Sequence, residues 1–182
     1  MLRAATRVAH HRLERRLGLP GVLRGLDDYR AVLRGMHGFH APLEEALQAH
    51  PGLRAALPDL TARRKLPGLG ADLRDLGAPV PARRAPIPDL ATTARALGAA
   101  YVVEGATLGG AGISRHVRAT LPDPAPQAVR FLAPYGGQTG PMWRRFQEAL
   151  AAHDDDPDET VGAAQETFAA LEDWLETEGV LR

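Results

Sequence analysis

Apolar side chains recur every three or four residues along most of this chain, and the alternating pattern of a β-strand is missing throughout. Such a period places the apolar side chains on one face of a helix, so it predicts a series of amphipathic helices around a shared core. No shift in composition marks a boundary between two domains. The predicted fold is therefore a single all-α domain over residues 1–182.

Capping residues and prolines set the expected bounds of the helices. Gly38 and Pro42 interrupt the second apolar stripe, so a kink or a two-piece helix is expected there. Asp156, Pro157 and Glu159 form a cap-and-dipole signature at the start of the last helix. The predicted helices cover residues 2–17, about 27–47 with Asp27 or Asp28 as cap, about 53–62, about 70–77, about 89–121, about 126–132, a segment carrying Trp143, Phe146 and Leu150, and a last helix with Val161, Ala164, Phe168, Leu171 and Leu175 as its stripe.

The most unusual stretch is Tyr101–His116, which carries four glycines within eight residues, at positions 105, 109, 110 and 112. An interior glycine costs a helix roughly 0.8–1.0 kcal/mol relative to alanine, so the run gives up about 3–4 kcal/mol. On a continuous helix Gly105, Gly109 and Gly112 share one face, where another body can approach the backbone itself. Close helix packing, a break between two helices and a helix lying over a flat ligand all remain open.

The first helix carries two adjacent histidines that its apolar stripe separates. His10 falls inside the stripe, whereas His11 lies about 100° away on the charged face. His10 is therefore expected to point inward, either as a satisfied core residue or as a metal ligand. Glu14 lies one turn further on, where it is placed to hold the other ring nitrogen of a ligating His10, directly or through water. His40 is a second inward histidine, for which a polar contact in the core is favoured.

Composition excludes several classes of function. The 22 basic and 22 acidic side chains cancel, so the molecule has no overall field that attracts nucleic acid or an anionic membrane. Without cysteine it has neither disulfides nor thiolate metal sites. No apolar run approaches the ~20 residues of a membrane span, and a soluble cytoplasmic protein is expected. Two basic clusters are expected to be solvated faces, with docking of an acidic partner as the alternative; they comprise Arg63, Arg64, Lys65, Arg83 and Arg84.

Three separated segments carry a resemblance to one family. They are LRAATRVAHHRLE from Leu2 to Glu14, YVVEGATLGGAGISRH from Tyr101 to His116, and YGGQTGPMWRRF from Tyr135 to Phe146. Together, and in this order, they resemble the haem (heme) oxygenase family. The likeness is closest to its bacterial, biliverdin-producing branch found alongside bacterial phytochromes, and it covers nearly the whole chain.

The resemblance implies an all-α bundle that holds haem between a proximal helix and a kinked, glycine-rich distal helix. It implies that His10 is the proximal iron ligand and that Glu14 is a carboxylate near it. The bare backbone of the distal glycines would lie against the porphyrin and flex above bound O2. The resemblance assigns these glycines to Gly105, Gly109 and Gly110, a propionate-binding arginine to Arg144, and a basic residue at the porphyrin edge to Arg3.

The resemblance also implies a reaction, in which O2 and external electrons open haem to biliverdin, CO and Fe2+. Haem is then both substrate and cofactor, and the protein supplies orientation and sequestration. No strand precedes the glycine run, as a dinucleotide fingerprint would require, so no bound flavin or nicotinamide is expected. Electrons are expected from a ferredoxin, a flavodoxin or a reductase, and a bacterial phytochrome is the implied biliverdin acceptor.

One position departs from the family pattern. Many members carry an aspartate directly after the first distal glycine, where this chain has Ala106. Glu104, Thr107 and Arg115 are candidates to organise water there instead. Two alternatives to the enzyme stay open: a haem- or tetrapyrrole-binding carrier that does not turn over, and a helical interaction module whose glycine face packs another helix.

Overall fold

The computed structural model describes residues 2–181 and places them in eight α-helices and two short 3-10 turns, with no strand in that range. The all-α prediction is thereby confirmed. The helices are α1 (Leu2–Leu17), α2 (Leu26–Ala49), α3 (Pro51–Ala56), α4 (Leu66–Asp75), α5 (Thr93–Gly105), α6 (Thr107–Thr120), α7 (Thr139–His153) and α8 (Pro157–Thr177), and the 3-10 turns are Leu60–Arg63 and Gly136–Gln138.

The longest interface of the bundle lies between α5 and α8. Gly98 of α5 makes this approach possible, because a Cβ built on it would lie 2.2 Å from the carbonyl oxygen of Thr160 in α8. The Thr160 hydroxyl donates in turn to the carbonyl of Ala94 at 3.1 Å. Helix α1 packs on α8 as well. Helix α8 is therefore the common support of the first helix and of the helix that leads into the glycine run.

The buried side chains form two clusters. One joins α1, α2, α5, α7 and α8, and it includes Leu13, Phe39, Leu97, Phe146 and Phe168. The other joins α2, α4, the end of α6 and the segment from residue 121 to 132. Because Met36 and Val180 pack against both clusters, the two are continuous.

The kink or break expected in the second helix does not divide it, since α2 runs unbroken from Leu26 to Ala49 with Pro42 inside it. Pro42 has no N–H to offer the carbonyl of Gly38 four residues earlier. That carbonyl instead accepts a hydrogen bond from the backbone N–H of Ala85 at 2.9 Å. Gly38 itself admits the ring of Trp174, to which a Cβ would come within 2.4 Å. Tertiary contacts thus satisfy both residues within one helix.

The helix predicted over residues 126–132 is absent, and the chain there forms successive turns. Of the nearby prolines only Pro126 lies in this segment, at a first position that a helix tolerates, so tertiary contacts and not proline decide against a helix here. Buried side chains hold the turns in place. The Tyr29 hydroxyl donates to the carbonyl of Ala128 at 2.5 Å, and Asp72 accepts from the N–H of Phe131 at 2.8 Å.

Several helix ends also differ from their predicted positions. Helix α2 begins after Gly25, so neither Asp27 nor Asp28 caps it, and α5 begins after the capping hydroxyl of Thr92. The helix expected over 53–62 is divided into α3 and a 3-10 turn, and α4 starts earlier than residue 70. The start of α8 is confirmed, because the carboxylate of Asp156 accepts from the Glu159 N–H at 3.0 Å.

The segment Thr93–Thr120, which comprises α5 and α6, is by length and composition apolar enough to cross a membrane. Within the apolar part of this segment, 56% of the residues are buried inside the protein. A core helix of a soluble protein can have the same length and composition.

Candidate functional site

His10 lies on the surface of α1, not in its buried stripe. Its side chain is 46% exposed, only slightly less than the 56% of His11, whereas Leu13 on the same helix is buried. The expectation that His10 points into the core is therefore wrong. The ring of Phe168 from α8 covers one edge of the imidazole, with the two ring centroids 5.9 Å apart.

Glu14 holds His10 as the spacing predicts, but it also reaches His11. Its Oε2 atom lies 3.3 Å from Nδ1 of His10 and 3.2 Å from Nδ1 of His11. The three side chains together bring enough ligand atoms close to one another to hold a metal ion. With Nδ1 turned toward Glu14, the Nε2 atom of His10 has no hydrogen-bond partner within residues 2–181. His10 therefore presents one free ring nitrogen.

A buried carboxylate fixes the helix that carries His10. Glu172 of α8 is 5% exposed and pairs with Arg12 at 2.6 Å and with Arg16 at 2.9 Å, both on α1. Burial alone would raise the pKa of Glu172, but hydrogen bonds and charge from the two arginines outweigh it and hold the pKa below its ordinary value. The glutamate is therefore ionised near neutral pH and clamps α1 onto α8.

The glycine run is the site of a break between two helices. Helix α5 ends at Gly105, α6 begins at Thr107, and Ala106 lies between them. The backbone tightens here, because the N–H of Gly109 bonds to the carbonyl of Ala106 three residues earlier, at 3.3 Å. Of the alternatives that the sequence leaves open, the break is present.

The glycines of this segment have different surroundings. A Cβ on Gly110 would lie 1.9 Å from the carbonyl oxygen of Leu132, so packing alone explains the missing side chain there. A Cβ on Gly109 or on Gly112 would meet nothing within 4 Å, whereas one on Gly105 would touch the ring of Trp143 at 3.8 Å. Gly109 and Gly112, and not Gly110, thus form the bare surface of α6.

Apolar side chains adjoin the glycine run at Leu108 and Trp143. Leu108, next to Gly109, is one of the exposed large apolar side chains. Trp143 on α7 packs between Tyr101 and Phe146, with ring centroids 5.6 Å from each. Arg144, the next residue, is exposed and has no ion pair within residues 2–181; the same holds for Arg3 on α1.

The first basic cluster is mostly buried, which contradicts its prediction as a solvated face. Arg63 and Lys65 are 3% and 4% exposed, and both pair with the buried carboxylate of Glu104. Burial lowers the pKa of Lys65, and the charge of Glu104 opposes that shift. Burial raises the pKa of the nearby Tyr135, and so does the Glu104 carboxylate. Arg64, Arg83 and Arg84 are exposed, as expected.

A cavity of about 30 Å3 borders this cluster. His40 lines it and is buried, as the sequence predicts, with its ring edge-on to those of Phe39 and Phe131. Burial, then the charge of Lys65, lowers the pKa of His40 to about 3. The imidazole is therefore neutral at physiological pH.

Of the three candidates to organise water in place of the missing aspartate, two are already engaged. The Glu104 carboxylate is held by Arg63 and Lys65, and the Thr107 hydroxyl donates to the Glu104 carbonyl at 2.7 Å. Arg115 is exposed. The ion pairs of Glu104 join residues about 40 positions apart, and no local sequence pattern indicated them.

An all-helical bundle built in this order is the fold of a heme oxygenase. The crystal structures of the NO- and CO-bound heme oxygenase from Neisseria meningitidis share this fold, with a TM-score of 0.78 at 26% identity over 98% of this chain and 90% of that one. A heme oxygenase from Xanthomonas campestris pv. campestris is 37% identical over 124 residues, which are 68% of this chain and 72% of that protein.

The sequence profile of the family described as heme oxygenase matches residues 1–177. The chain belongs to the heme oxygenase family. It is accordingly an enzyme of haem degradation, as the resemblance of its three segments implied.

Proposed function

We propose that this enzyme opens haem with O2 and external electrons to biliverdin, CO and Fe2+, and that His10 is the axial ligand of the haem iron. The observation that carries the assignment is the environment of the imidazole. Its Nδ1 atom faces the Glu14 carboxylate at 3.3 Å, and its Nε2 atom is free on an exposed face of α1. Ligating histidines generally have this arrangement, in which a carboxylate orients the ring and raises the basicity of the ligating nitrogen.

The remaining residues fit a flat, apolar dianion. Bare backbone at Gly109 and Gly112 leaves open space where a side chain would otherwise stand, so that a macrocycle can approach α6 closely. The guanidinium groups of Arg144 and Arg3, which have no ion pair within residues 2–181, suit propionate carboxylates, with which arginine forms two parallel hydrogen bonds. In a molecule without net charge, such local cations are what a dianionic ligand requires.

The role of the protein in this chemistry is to bind haem, to orient it and to exclude water from it. Bound haem supplies an iron centre that activates O2 and the porphyrin carbon that is oxidised. His10 would hold the group from one side, with the Glu14 carboxylate 3.3 Å from its Nδ1 atom to orient the ring. Backbone at Gly109 would lie against the other side of the group, where it would bring no acidic side chain to the reacting centre. Arg144 and Arg3 set the rotation of the macrocycle, and with it the carbon that is presented.

The protein is proposed to act in the cytoplasm with an external electron donor of the ferredoxin, flavodoxin or reductase type. A bacterial phytochrome is the proposed acceptor of its biliverdin, in keeping with the branch of the family that the three segments resemble.

One titration tests the assignment. One equivalent of hemin is added to the purified protein, the visible spectrum is recorded, and a reductant is added in air. A histidine-ligated spectrum that decays to that of biliverdin is expected. His10→Ala should abolish the histidine-ligated spectrum, whereas the neighbouring His11→Ala, which loses a similar contact with Glu14, should keep it. Equal spectra and turnover in wild type and His10→Ala would refute the ligand assignment, and stable bound haem would favour the carrier.

A further inference from the structure

Three charged side chains are buried where the proposed haem chemistry gives them no direct role. Arg63, Lys65 and Glu104 are nearly inaccessible. A buried charge is costly unless it is paired and its other hydrogen-bonding groups are satisfied. One carboxylate oxygen of Glu104 accepts from Arg63 Nη1 at 2.5 Å. The other accepts from Lys65 Nζ and from the Tyr135 hydroxyl, the latter at 2.8 Å.

This cluster is attached to the distal segment at its break. Glu104 is the last residue but one of α5, and its carbonyl oxygen accepts from Thr107 Oγ1 at 2.7 Å across the break. On its other side Arg63 donates through Nη2 to the carbonyl of Met142 in α7 at 3.2 Å, and through Nε to Asp59 at 2.7 Å. The Arg63 side chain therefore links the end of α5, through Glu104, to α7 and to the segment from residue 59 to 65.

The cation that completes the cluster is the only lysine in the sequence, beside 21 arginines. A compact ammonium can donate from one buried position to Glu104 and, at 2.7 Å, to the Tyr135 hydroxyl. A guanidinium is broader and carries five donors in a fixed plane, so it would need more room and more acceptors. The single lysine thus stands where the size and shape of the cation matter.

We propose that Glu104 is a positioning residue whose ion pairs with Arg63 and Lys65 fix where α5 ends, and hence where the glycine backbone of α6 begins above bound haem. This inference rests on the proposed function. Glu104 acts through the backbone from Gly105 to Gly109 and does not touch haem. Misplacing a group by about 1 Å in an active site can cost ~100-fold in rate, so a small shift of this break affects turnover strongly.

The test compares two variants of Glu104 with a matched control. Glu104→Gln removes the charge at nearly constant volume, and Glu104→Asp keeps the charge but shortens its reach. Glu44→Gln is the control, because Glu44 is also a buried carboxylate in this region and accepts from the backbone N–H of Lys65 at 2.7 Å, but makes no hydrogen bond to α5. The measurements are haem affinity, turnover, and amide hydrogen exchange of residues 106–112 in the full chain with and without haem.

Glu104→Gln should lower turnover at least ~10-fold, with a haem dissociation constant within ~3-fold of wild type, and speed exchange of residues 106–112 about 10-fold. Glu104→Asp should fold with smaller changes of the same kind, so it decides the question if the Gln variant does not fold. Glu44→Gln should leave turnover and the exchange of residues 106–112 within ~2-fold of wild type even where it lowers Tm.

Unchanged exchange of residues 106–112 in folded Glu104 variants would overturn the inference. Failure of the wild type to degrade haem would instead refute the proposed function. The exchange measurement on the haem-free chain would still decide whether Glu104 positions α6.

Discussion

Neighbouring glycines on α6 offer a matched pair of substitutions with opposite expected effects on stability. A Cβ at Gly109 meets open space, so alanine there only gains helix propensity. Alanine is favoured over glycine in a helix by about 0.8–1.0 kcal/mol, and Gly109 lies in the first turn, so a gain of about 0.5–1 kcal/mol is expected. In a domain of this size that gain raises the Tm of the haem-free protein by roughly 1–4 °C.

Gly110→Ala should do the reverse. Its Cβ would lie 1.9 Å from the carbonyl oxygen of Leu132, and a backbone atom cannot move aside by changing rotamer. Overpacking of this kind typically costs about 1–3 kcal/mol, so Tm should fall by several degrees. Thermal unfolding of the two haem-free alanine variants, measured beside the wild type, gives the comparison.

A larger side chain at the open position separates function from stability. Gly109→Leu should keep the haem-free fold, because the side chain enters open space and leucine is a good helix former. On the proposed geometry the same side chain occupies the place of the porphyrin, so turnover should fall at least ~10-fold, the loss expected for about 1.4 kcal/mol of lost transition-state stabilisation. The assay is biliverdin formation under saturating reductant, with haem affinity measured separately. Unimpaired turnover in Gly109→Leu would mean that this surface does not meet haem.

Two further substitutions test the other face and the rim. Glu172→Gln should lower Tm by about 3 °C near neutral pH, which corresponds to a loss of roughly 1 kcal/mol. The pKa of Glu172 is depressed in the folded state, so this contribution to stability is present in full above the ordinary value of 4.5. The difference in Tm between the variant and the wild type should therefore disappear as the pH falls through the folded-state pKa. Arg144→Ala should weaken haem binding about 10-fold and change the ratio of biliverdin isomers, as the loss of one charge-assisted contact to a propionate implies, whereas Arg145→Ala on the same turn should leave the isomer ratio unchanged.

Sequence patterns predicted those features of the fold that local chemistry decides. The bounds of α1 and the cap of α8 follow from side chains within four residues of one another, so periodicity and capping rules were sufficient. Of the kink and the two-piece helix expected at Gly38 and Pro42, the two-piece helix is absent; the compensation for Pro42 comes from Ala85, more than 40 residues later, so the sequence left both open. The turns between residues 122 and 132 were missed for the same reason, since Tyr29 and Asp72 supply their partners.

In the candidate site, too, contacts within one helical turn were predicted and long-range contacts were not. Glu14 was placed correctly beside His10 because the two are one helical turn apart. The exposure of His10 was not predicted, since a stripe shows which residues share a face but not how far a neighbouring helix covers it. The basic run at Arg63 and Lys65 was misjudged because Asp59 is the only one of its partners nearby in sequence. The buried partner that both cations share is Glu104, on a helix that the fold brings alongside.

The packing of α8 explains how two helices on opposite sides of a ligand can hold their places without it. Helix α1 packs on α8 through the Glu172 clamp, and α5 packs on α8 where Gly98 meets Thr160. The proposed proximal helix and the helix that leads into the proposed distal segment are thus positioned by a shared third helix. Helix α6, beyond the break at Ala106, has no comparable contact with α8. Its position depends instead on its junction with α5, on contact with α7 and, at its far end, on the second hydrophobic cluster. On the proposed function, the glycine backbone near Gly109 is therefore the part of the haem site that α8 supports least.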